Sequence, residues 1–131
     1  RIASPVAATR DIPLTFTVLV SLANNLFNQI STAYCINCHY AAGGSLPDLS
    51  TPLAFRNNMV DRPTTGNPAT YPLAATYNRV IVPGNASQSY LMYMLNKAAL
   101  ARPMPISAGT IVPQSLRDLM ATWINQGANN N

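Results

Sequence analysis

The sequence predicts a small all-α domain with long irregular loops, and three observations lead there. Apolar residues recur at helical spacing in several stretches, no stretch alternates as a strand would, and residues 40–86 are crowded with Pro, Gly and Asn. A chain of 131 residues is enough for one core. The expected organisation is an extended arm over 1–13, which has two prolines and no periodicity, followed by a single domain over 14–131.

The first helix is expected over 15–38. Phe16, Leu19, Val20, Ala23, Leu26, Phe27, Ile30 and Tyr34 fall three and four apart, which puts them on one face. Val18, Val20 and the threonines weaken its first turns, so the sound part is 22–38. A short second helix follows, with Ser50 or Thr51 as cap, Pro52 at the first helical position, then Leu53, Phe55, Arg56 and Met59. A third starts after Pro83-Gly84, capped by Ser87 or Ser89, and turns Tyr90, Leu91, Met94 and Leu95 inward. Residues 101–112 form a loop with prolines at 103 and 105. The last helix runs over 114–126, with Leu116, Leu119, Met120, Trp123 and Ile124 on one side and Gly127 stopping it. The remainder of 40–86 is too long for a structureless loop in a compact domain, unless it wraps something large and flat.

Composition excludes several classes. With 48% hydrophobic and 9% charged residues the chain is no disordered tail. The eight Lys and Arg residues are scattered, with no run and no basic helix face, so nucleic-acid binding is not expected. The best apolar stretch, 14–22, is broken by Thr and Ser and is far shorter than the roughly 18 residues a membrane span needs. So little charge suggests a surface partly covered by a partner. The chain opens on Arg1 with no apolar leader, as expected of an exported, mature form without its signal peptide.

The chemistry sits in Cys35-Ile36-Asn37-Cys38-His39, at the end of the first helix. Two thiols three residues apart on one helical face can add across the two vinyl groups of a porphyrin, and the adjacent His39 can then ligate its iron. Other readings of the pair lack context. A thioredoxin-like redox site belongs to a βαβ unit, a tetrahedral zinc site needs about four ligands, and a disulfide here closes too small a loop to stabilise much. One covalent haem c is therefore the expected cofactor. His39 is the only histidine, so a six-coordinate iron takes methionine as its sixth ligand.

Five methionines compete. Met94 and Met120 lie on apolar helical faces as core residues, Met92 points away from its stripe, and Met59 stays open near the short helix. Met104 stands between Pro103 and Pro105, whose rings keep the backbone extended and present the side chain outside any helix. It is the favoured metal ligand beside His39, with Met59 second.

These features together resemble the class I c-type cytochromes. Arg79-Val80-Ile81-Val82-Pro83-Gly84-Asn85 with Ser89-Tyr90-Leu91 is similar to the Pro-Gly turn and following helix of a bacterial subgroup. Arg102-Pro103-Met104-Pro105 is similar to its Met-Pro ligand loop, and Trp123-Ile124-Asn125-Gln126-Gly127-Ala128 to its closing helix. The resemblance runs over 14–128, and the long insertion between His39 and Val80 departs from it. It implies a cytochrome c-like fold around one haem and electron shuttling between redox partner proteins, without enzymatic turnover. It also implies export to the periplasm or beyond. Tyr71, Tyr77, Arg79 and Arg102 are then candidate donors to the haem propionates. Two alternatives stand beside this. One is a haem-bearing subunit of a larger respiratory complex, or of a polymer of copies of itself. The other is an enzyme or gas-binding haem, which would need an open sixth position and a distal polar group.

Overall fold

Why the chain folds as it does is clearest from its helix ends. The computed structural model describes residues 18–64, 76–96, 104–106 and 110–131. Among these it has four helices, α1 (Leu22–Cys35), α2 (Pro52–Met59), α3 (Tyr90–Asn96) and α4 (Gln114–Asn125), with one 3₁₀ turn over Ala86–Gln88. No strand occurs among the described residues, so the helical class is as expected. The arm over 1–13, with Tyr71 and Arg102, lies outside the described residues.

Helix α1 begins at Ser21, whose hydroxyl accepts from the backbone N–H of Asn24 at 3.1 Å. Its hydrogen bonds reach back five residues, as from Leu26 N to Ser21 O (3.2 Å) and from Ile36 N to Ser31 O (2.9 Å), so it is a wide, π-type helix. The buried residues follow that longer turn: Leu22, Leu26, Phe27, Ile30 and Ser31. This corrects the expected face. Ala23 is exposed, Leu22 has its place, and Leu19 is 65% exposed ahead of the helix. A wider turn also brings a polar residue, Ser31, into the inward stripe.

The helix entry is clasped by the far end of the chain. Gln126 accepts from Val20 N and donates to Val18 O, both at 2.8 Å, while Asn131 accepts from Leu22 N at 3.0 Å. Residues 18–21 are thereby held extended, which is why the helix starts later than the apolar pattern suggests.

Helix α2 is capped by Thr51, which accepts from Ala54 N, and has Pro52 in its first turn. It buries Phe55 and Met59 and leaves Leu53 exposed. Helix α3 buries the four expected residues, Tyr90, Leu91, Met94 and Leu95. Ser89 is fully buried before it, but its hydroxyl pins the turn by accepting from Val82 N and donating to Asn85 O. Helix α4 buries Met120, Trp123 and Ile124 and ends at Gly127, whose φ of +107° suits only glycine well. Between α2 and α3, two isolated bridges join the flanking segments, Val60 to Ile81 and Pro63 to Arg79.

One apolar core results, to which all four helices contribute. Helix α4 packs on α1, α3 and the 3₁₀ turn, and α2 packs on α1. Phe55 of α2 meets Trp123 of α4 with ring centroids 6.3 Å apart at 59°, a tilted aromatic pair in the centre of the core. No helix among the described residues is long and apolar enough to cross a membrane.

Candidate functional site

The Cys-x-x-Cys-His segment finishes α1 as a tight turn. Both Cys38 N and His39 N donate to Cys35 O, at 3.1 and 2.9 Å. Only Cys35 belongs to the helix, so the two thiols do not share a helical face as expected. The turn is what delivers Cys38 and His39 to the same cavity as Cys35.

The reversal is tight because the chain doubles back beneath the motif, with Ser45 N donating to Cys38 O at 2.7 Å. Gly44 allows the close pass. A Cβ there would stand 2.8 Å from Cys38 O and 2.7 Å from Tyr40 Cδ1, and backbone cannot yield as a flexible side chain could.

That returning loop fixes the imidazole. His39 Nδ1 faces two carbonyl oxygens, Ser45 O at 3.1 Å and Pro47 O at 3.2 Å. Carbonyls only accept, so Nδ1 carries the hydrogen and donates it, leaving the lone pair of the neutral ring on Nε2. A histidine that ligates a metal through Nε2 needs this tautomer, and a carbonyl on Nδ1–H is one of the usual anchors.

Around the motif lies a cavity of about 630 Å³. This is within the range of cofactor pockets, roughly 300–1,000 Å³. Cys35, Cys38 and His39 line it together with the 104–106 loop and apolar side chains from every helix, among them Ile30, Phe55, Leu91, Leu95 and Met120. A rigid, mostly apolar ligand with two thiol-reactive groups and a metal suits such walls. The donor set of two thiols and one anchored imidazole fits a c-type haem.

Of the five methionines, Met59, Met94, Met104 and Met120 reach the cavity, and Met92 does not. Met59, Met94 and Met120 are buried side chains of helices. Met104 is half-buried in a loop, its N–H donating to Met94 O at 3.3 Å, which ties the loop to α3.

Two expected propionate donors stay away from the cavity lining. Tyr77 stacks on Tyr93 at 5.4 Å and packs beside Tyr90 at 5.8 Å, and exposed Arg79 donates from Nη1 to Asp61 O at 2.6 Å. The Pro63–Arg79 bridge holds that segment against 60–64. Tyr90, already expected to turn inward, and Thr64, which no sequence signal singled out, line the cavity instead.

Burial pushes the Cys35 thiol up to about 11 from the ordinary 9.0. At neutral pH it is a protonated thiol, unlike the thiolate of a nucleophilic cysteine site. Among the described residues no group of three or more His, Cys, Asp or Glu side chains converges, so a tetrahedral zinc site has no ligand set there.

No family model, curated protein or solved structure matches the chain. What the protein does has to be read from the site itself.

Proposed function

We propose that this chain is a monohaem c-type cytochrome that carries one electron at a time between redox partners. One observation carries the reading: both thiols of the motif and an imidazole of the ligand tautomer line a single apolar cavity of cofactor size. A haem held there supplies a reversible one-electron iron couple. Cys35 and Cys38 would hold such a group covalently, each thiol adding its sulfur and its hydrogen across a vinyl C=C bond with no net oxidation. His39, through Nε2, and Met104, through its sulfur, would hold the iron, since a loop side chain can turn to a ligand without leaving a helical packing position. A thioether ligand favours the ferrous state relative to a second imidazole.

The apolar side chains exclude water and lower the local dielectric, so little has to reorganise when charge changes. At the lining, Leu46 is 83% and Ile106 55% exposed, and neither is charged. They offer an apolar contact for a redox partner, or for a second copy in the assembled form of the same function. Thioether formation of this kind implies maturation after export, in the periplasm or outside the cell.

Intact mass under denaturing conditions tests the reading directly. The expected result is the polypeptide plus one haem, lost in Cys35→Ala/Cys38→Ala. A bare polypeptide from cells competent in cytochrome c maturation would refute it.

A further inference from the structure

We infer that Ser31 is a positioning residue for His39, acting through the carbonyl of Leu49 to set how strongly the imidazole donates to iron. The inference rests on the haem reading above and adds the residue that tunes its ligand.

Ser31 is the polar member of the buried stripe of α1 and is 1% exposed. A hydroxyl in such a place is costly unless bonded. Serines within helices commonly bond back to their own helix. Ser31 instead donates to Leu49 O at 2.9 Å, eighteen residues along the chain.

What it holds there is the loop that aims the ligand. Leu49 N donates to His39 O at 3.1 Å, and the carbonyls of Ser45 and Pro47 take the Nδ1 hydrogen at 3.1 and 3.2 Å. Residues 45–49 thus grip His39 from its backbone and its ring together. Asn58 of α2 braces the same loop by donating from Nδ2 to Asp48 O at 2.9 Å. Of the two braces, Ser31 is the one on the helix that also ends in Cys35, so it references the imidazole to the covalent attachment.

Donation from Nδ1–H pushes electron density toward Nε2 and raises ligand basicity. A stronger donor stabilises ferric iron over ferrous. Without the Ser31 hydroxyl the 45–49 carbonyls lose their anchor on α1, the Nδ1–H bond slackens, and the ferrous state gains.

The experiment compares haem-loaded wild type with Ser31→Ala, Ser31→Cys and Ser31→Thr, reading intact mass, reduction potential, unfolding midpoint and exchange of the His39 Nδ1 hydrogen. The cysteine variant keeps nearly the volume of serine with a weak donor, so it serves if the alanine variant does not fold. The expected result is an unchanged haem mass with faster Nδ1 exchange in Ser31→Ala and Ser31→Cys. Their potential rises by about a tenfold change in the ferrous-to-ferric ratio, ~59 mV for one electron. The threonine variant restores both. A lower unfolding midpoint with unchanged potential and exchange would overturn the inference and leave Ser31 a packing residue. Wild type without covalent haem would instead overturn the haem reading, and this inference with it.

Discussion

Phe55→Ala probes the joint between the core and the cavity. Phe55 is 2% exposed, lines the cavity, and leans on Trp123, itself 1% exposed. Truncating a buried phenylalanine costs about 3–5 kcal/mol, with the aromatic pair contained in the upper part of that range. A domain of this size has about 5–15 kcal/mol in all, so the loss is a large fraction of its stability. With a guanidinium slope of roughly 4 kcal/mol/M for a small domain, the midpoint should fall by about 1 M. Trp123, the only tryptophan, reports the transition through its fluorescence, and far-UV circular dichroism gives the second probe. The haem-bound protein should also show a lower reduction potential, because water nearer the site stabilises the ferric charge. Phe55→Leu, which preserves most of the volume, should cost about 1 kcal/mol. A loss below about 1 kcal/mol in Phe55→Ala with an unchanged slope would refute the claim that this ring joins the cavity wall to the core.

Three further outcomes are expected. Met104→Ala should abolish the weak long-wavelength charge-transfer band of a thioether-ligated ferric haem and open the iron to added imidazole, whereas Met59→Leu should retain the band; the reverse pattern would move the ligand to Met59. The haem-free chain should lose stability at alkaline pH through Cys35. Its folded thiol lies near 11 against an ordinary 9.0, so the contribution is complete below about pH 9 and is lost as pH rises through about 11, a change of ~3 kcal/mol. Urea midpoints at stepped pH for wild type and Cys35→Ala measure it, and equal slopes would disprove it. Gly44→Ala should weaken haem retention in chains with a single thioether, because the new Cβ meets Cys38 O at 2.8 Å and pushes the loop off His39; unchanged retention would show that the loop simply shifts.

Much of the helical layout was legible in the residues because it depends on local signals. Thr51-Pro52 marks a helix start through a capping hydroxyl and a preset φ, Gly127 marks an end through a left-handed backbone, and Tyr90, Leu91, Met94 and Leu95 repeat at the helical period. The Cys-x-x-Cys-His segment was equally visible, since residue type and spacing alone pick it out, and its three reactive side chains do line one cavity. On helix α1, Leu26, Phe27 and Ile30 face inward as expected, but nothing local announces its five-residue hydrogen bonds, and Leu22 rather than Ala23 is buried in its first turn. Arg79 and Tyr77, expected as candidate propionate donors, lie off the cavity lining, because partners in 60–64 hold their backbone and the Arg79 guanidinium.

By itself, then, the sequence determined which atoms can react: two thiols, one imidazole, and a choice among five thioethers. Tertiary structure alone decided how they are poised. The tautomer of His39 depends on carbonyls six and eight residues away, the high pKa of the Cys35 thiol depends on burial, and the anchoring of that loop depends on a serine eighteen residues from its partner. Hydrogen-bond direction and desolvation belong to the space around a group, and that space exists only once distant segments of the chain have met.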